Sequence, residues 1–178
     1  MPDDILTFWF TETRREQWWT VDPAFDEQIR TRFGDVHRAA RLGELWAWRC
    51  TPQGRLAEVI VLDQFSRNLF RGTAEAFACD GMALALAQEA VAGGHDQALE
   101  PTQRAFIYMP YEHSESPRVH EEALRLFTAL GLPDPLDYEQ RHKAIIDRFG
   151  RYPHRNAALG RASTAEEIAF LQQPGSSF

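Results

Sequence analysis

The chain has 178 residues, 44% apolar, 12% aromatic and 25% charged, which fits a single globular domain over residues 1–178 and excludes a disordered chain. Acidic side chains outnumber basic ones 26 to 19 and the net charge is −7, which excludes a general nucleic-acid binder, normally basic overall. Cys50 and Cys79 are too few for a disulfide framework and lack metal-ligand spacing. The longest apolar run, Met82 to Ala87, is six residues against about 20 for a membrane span; with an acidic MPDD start and no basic n-region, the expectation is a cytoplasmic protein.

In chain order, short pieces over 3–10 and 43–49 flank a first long helix. Asp22-Pro23 opens it as N-cap and first-turn proline, and Phe25, Ile29, Phe33, Val36 and Ala40 recur on one face up to Gly43. Thr51-Pro52 opens a second, to about Phe70. A third fills 74–92 before Gly93-Gly94, and a fourth runs from Pro101 through Met109, where Pro110 interrupts or ends it. Ser116-Pro117 starts a fifth that closes at Gly131, and 135–149 makes a sixth that closes at Gly150. The last begins at Ser163-Thr164, where Ser163/Glu166 and Thr164/Glu167 both fit a capping box. No run alternates with period two over a useful length, so the fold class is all-α, built of antiparallel helix pairs. All five Trp fall within the first 48 residues, as an aromatic first layer packed on later helices, or as a ligand cage if some rings are exposed.

The helix from Pro52 carries LAEVIVLDQFSRNLF, apolar nearly all round, as suits the middle of a fold. Asp63, Gln64, Arg67 and Asn68 interrupt it on one flank, and groups of this kind left buried and unpaired cost several kcal/mol each. Asp63 and Arg67 can pair at i,i+4, with Gln64 and Asn68 tying loop carbonyls to the helix. The same four can equally floor a polar pocket with Arg67 facing an anion. The two readings differ on whether Arg67 touches an open cavity.

Four of the six histidines, His113, His120, His142 and His154, follow Pro110. His142 shares a stripe with Tyr138, Ile145 and Phe149 and so points inward. There is no HExxH and no His pair at i,i+4, so no metal site and no cofactor are expected. From Arg141 to Arg161 six cations face one acid, a local charge of +5 that leaves −12 for the rest. Gly150 and Pro153 place Arg151, His154, Arg155 and Asn156 on an ordered turn, where forked guanidinium donors suit carboxylate or phosphate. Those arginines can also bind the chain's own carboxylates or helix-end carbonyls.

LDQFSRNLFRG, FIYMPYEHSE, FGRYPHRNAALGR and STAEEIAFL, in this order, with the opening FWF, WW and FDEQI, resemble the bacterial domain-of-unknown-function family numbered 924 across essentially the whole chain. The resemblance implies a tetratricopeptide-repeat-like fold of about seven to nine helices and no agreed activity, although no 34-residue repeat is readable. Its motif positions fall on Asp63, Gln64, Arg67, Asn68, His113, Ser114, Glu115, Arg148, Gly150, Arg151, Pro153, His154, Arg155 and Asn156, with His142 ahead of the last motif. Val119-His120 replaces a more typical Gln-containing stretch, which weakens His120 as a shared ligand.

Three functions follow. A binding module would hold a small anionic ligand or acidic peptide end with Asp63, Gln64, Arg67, Asn68, His142, Arg151, Arg155 and Asn156. An enzyme would use His113 or His154 as acid/base, Glu115 or Asp63 to orient it, and Arg67 with Arg155 as clamp. A purely structural network would make Arg67→Ala melt the fold. Nucleic acid and membrane are not expected partners, and the oligomeric state is open.

Overall fold

Helix starts follow the proline and N-cap signals closely. The computed structural model describes residues 1–177; among them no strand forms. Nine α-helices are joined by 3₁₀ and π turns: α1 (Pro2–Thr7), α2 (Pro23–Arg41), α3 (Pro52–Ile60), α4 (Ser66–Leu69), α5 (Asp80–Ala92), α6 (Pro101–Glu112), α7 (Pro117–Leu130), α8 (Pro133–Phe149) and α9 (Ala165–Leu171). Asp22 accepts from the Ala24 and Phe25 amides and Thr51 from Gly54, each satisfying orphan donors of a first turn. Of the two candidate capping boxes only Thr164/Glu167 forms; the Ser163 hydroxyl accepts from Asn156 instead.

Three expectations need correction. The segment expected as one helix over 74–92 is a 3₁₀ turn, Ala74–Phe77, followed by α5 from Asp80. Pro110 neither interrupts nor ends α6, which runs on to Glu112 and caps at His113. As a proline it lacks the amide that would bond the carbonyl four residues back, so α6 continues past it with that one rung missing. α8 starts two residues earlier, at Pro133, another first-turn proline. The aromatic layer forms around Trp9, which meets Trp18, Phe25, Phe65 and Phe106, but Trp19 and Trp46 are 61% and 67% exposed.

The long central helix is α3 and α4 joined through a π turn, Val61–Phe65. A π turn departs from i→i−4 pairing, and here two of its carbonyls take side-chain donors: Ser66 Oγ donates to Leu62 O at 2.6 Å and Arg67 Nη1 to Asp63 O at 2.8 Å. This rod is the core of the molecule. Leu56 to Ser66 are buried throughout, packed by α1, α5 and α6. On the far side α6 packs on α7 and α7 on α8. Only Gly131 and Leu132 separate α7 from α8, so α8 must run back along α7. No helix among the described residues is long and apolar enough to cross a membrane.

The entry to α3 is sterically tight. A Cβ at Gly54 would sit against the backbone carbonyl oxygen of Trp48, well inside van der Waals contact, so the 3₁₀ turn Trp46–Cys50 can lie on α3 only over a glycine. Gly54→Ala is expected to destabilise by about 1–3 kcal/mol, the cost of overpacking a site that cannot yield. Urea denaturation checks it: an unchanged or raised midpoint would contradict the packing.

Candidate functional site

Asp63 is 1% exposed. Its Oδ1 accepts from His113 Nδ1 at 2.8 Å and lies 3.1 Å from Arg67 Nη1; its Oδ2 accepts from Gln64 Nε2 at 2.7 Å. The π turn thus points one carboxylate at the C-terminal end of α6, where His113 sits. Burial alone would raise this acid's pKa, but Arg67, His113 and the two hydrogen bonds outweigh it and hold Asp63 well below the usual carboxylate range. An ionised Asp63 takes the Nδ1 proton of His113, so in the neutral imidazole Nε2 keeps its lone pair. Burial, then the Arg67 charge, pushes the His113 pKa down and keeps it neutral.

Arg67 continues the chain of contacts. Its Nη1 and Nη2 grip Asp80 Oδ1 and Oδ2 at 3.0 and 3.1 Å, a bidentate pair, and Arg155 Nη1 reaches the same Asp80 Oδ2 at 3.1 Å. Two guanidinium groups from elements 88 positions apart in sequence therefore close on one carboxylate at the first residue of α5. Arg155 lies over the rings of Phe77 and Tyr152, with both ring centroids 4.6 Å from its central carbon. It is only 7% exposed, yet its Nε has no hydrogen-bond partner. The neighbouring His154 Nδ1 is likewise buried and unpartnered.

Behind this centre lies a second, drier layer. His142 is buried, donates Nδ1 to Tyr138 O at 2.8 Å, and faces His113 with ring centroids 6.2 Å apart. Glu112 Oε1 is 3.5 Å from His142 Nδ1. Burial, reinforced by the Glu139 and Asp63 carboxylates, lifts the Glu112 pKa well above its ordinary value. The Tyr152 hydroxyl donates to Glu112 O at 2.5 Å, and His120 bridges Glu139 Oε1 and Ser114 O at 2.8 Å each.

The remaining candidate residues lie elsewhere. Asn68 does not join Asp63; it donates to Asp26 Oδ1, beside Arg71, and ties α4 to α2. Arg151 makes a bidentate pair with Glu167 and also donates to Ala162 O. Asn156 bonds Ser163 and Arg161. Glu115 holds Arg161 and accepts the Tyr152 amide, so it braces the C-terminal loop and orients no histidine. Gln64 reaches Asp63 and Met109 Sδ, not loop carbonyls. Arg67 does not line either of two cavities: one of about 210 Å³ borders Asp96, Arg104 and Tyr108, the other of about 530 Å³ lies along α2. Its outlet is direct, through side chains 21% exposed at Arg67, 18% at Asp80 and 14% at His113. Asp80, Glu112 and Tyr152 were not singled out as site residues. For Asp80 the signal was slight, an acid at a helix start; for Glu112, adjacency to His113.

Burial lowers His37 and His154 to about 4, against the ordinary 6.5, with the Arg41 and Arg155 charges adding to it. A depressed folded pKa means stability is complete above 6.5 and falls as the pH drops towards 4. The slope is up to about 1.4 kcal/mol per pH unit for each histidine that must charge. Denaturant midpoints at pH 7, 5.5 and 4.5 are expected to decline, and less steeply in His154→Gln. An NMR titration of His154 centred near 6.5 would contradict its burial.

Comparison places these residues in a known family. Residues 5–175 match the family described as bacterial protein of unknown function, DUF924. No curated protein matches the chain. A solved structure of a protein of unknown function from Agrobacterium tumefaciens is 40% identical, covers 96% of each chain and superposes with a TM-score of 0.92. The all-helical fold, the order of the motifs and this match agree, and the chain belongs to the DUF924 family of bacterial proteins of unknown function.

Proposed function

We propose that the chain is a binding module for a small anion, held where Arg67 and Arg155 converge. One observation carries this reading: Arg155 is nearly buried over two aromatic rings, yet among the described residues only its Nη1 has a hydrogen-bond partner and its buried Nε has none. An unanswered donor on a buried charged group costs roughly 1–3 kcal/mol or more, a cost that Arg161 avoids by bonding through all three of its nitrogens and that Arg55, whose Nε is also unanswered, shares. The packing of α5 through α8, each helix on the next, supports a tetratricopeptide-like stack as the frame. An acidic peptide end would present the same carboxylate chemistry.

A second reading, acid–base catalysis, is favoured by the His113–Asp63 pair. Asp63 fixes the ring and its tautomer, and His113 Nε2 has no hydrogen-bond partner among the described residues. A group bound at the guanidinium pair would lie beside a neutral imidazole oriented as a base.

Titration with sodium acetate and sodium phosphate against sodium chloride at equal ionic strength tests the first reading. A bound anion at 100-fold excess over its Kd stabilises by about 2.7 kcal/mol, or several degrees of Tm for a chain of this size. Arg155→Gln is expected to abolish the effect while leaving a folded protein. Equal Tm values in all three salts would contradict anion binding.

A further inference from the structure

We infer that the site is built for a monocarboxylate and that Asp80 is its internal stand-in: a ligand carboxylate takes the place that the Asp80 side chain now fills. The inference rests on the anion-binding reading above and specifies its ligand. The Asp80 carboxylate already displays the fit, with two bonds from Arg67 and a third from Arg155 at 3.0–3.1 Å. That is a planar cradle matched to two oxygens on one carbon.

Charge balance selects the ligand class. The ion pairs of the centre set Arg67 and Arg155 against Asp63 and Asp80, two charges of each sign. An added anion would leave this buried group with an uncompensated negative charge, which is costly. Exchange of one carboxylate for another leaves it neutral; a phosphate dianion does not. Asp80 is also the member of the group that can leave. It sits at the first residue of α5, just after a half-buried 3₁₀ turn, and among the described residues its carboxylate holds only the two arginines. Displaced, its carboxylate stays at the N-terminus of a 13-residue helix, where negative charge is favoured. Asp63 has no such freedom, being buried and held from three sides.

The test is isothermal titration of wild type and Asp80→Asn with sodium acetate, and separately with inorganic phosphate. Removal of the internal competitor is expected to tighten acetate binding at least tenfold, with acetate preferred over phosphate in the variant. Acetate binding of equal strength in both proteins would overturn the exchange and leave the anion site standing. Binding in neither would overturn both. A preference for phosphate in Asp80→Asn would overturn the ligand class. Should that variant fail to fold, the Asp80 carboxyl ¹³C resonance of wild type is followed during acetate addition: a saturable shift supports displacement, and an unmoved resonance at acetate saturation overturns it.

Discussion

A single buried carboxylate organises the molecule. Asp63 stands on the π turn inside the most buried helix and takes hydrogen bonds from Gln64 and His113 and an ion pair from Arg67. Removing such a group from water costs several kcal/mol, which only a full set of donors offsets. The requirement dictates geometry elsewhere: the end of α6 must bring His113 within reach, and Arg67 must fold back along its own helix. With one face of Arg67 so occupied, its other face is turned to Asp80, and through Asp80 to Arg155.

The C-terminal loop is held by separate clamps. Arg161 grips Glu115, Arg151 grips Glu167, and Glu115 also takes the Tyr152 amide. Gly150, in the left-handed region at φ 68°, releases the chain from α8 into this loop. The stretch of +5 charge is thereby answered residue by residue: Arg141 by Asp137, Lys143 by Asp147 and Glu121, Arg148 by Glu166. Arg155 alone of these cations is carried into the centre. Charge density in the sequence marked a scaffold, with one arginine at its tip turned inward to Asp80.

Much of the frame was legible because its signals are local. Prolines at first turns, Asp22 and Thr51 as caps, and the apolar stripe of α2 need only neighbours within a few residues. The π turn was not legible, since periodicity assumes 3.6 residues per turn and a local insertion leaves no mark in an all-apolar run. Nor were the partners of the polar residues. Asp63 meets a histidine 50 positions on and Asp80 an arginine 75 positions on, separations that one sequence does not disclose. Asn68 misled for a simpler reason: it lies more than a full turn beyond Asp63 and faces Asp26 of α2 instead. Grouping by sequence proximity joined two residues that the helix divides.

On the anion-binding reading this centre is a neutral set with one seat for a monoanion, and it stays neutral only with Glu112, whose pKa burial raises, protonated. Carboxyl ¹³C NMR of the folded protein at pH 7, with Glu112 identified through Glu112→Gln, measures that directly. A Glu112 resonance at the protonated-acid position beside an ionised Asp63 is expected. A Glu112 carboxylate ionised at pH 7 would place an extra negative charge near Asp63 and Arg67 and contradict the neutral set.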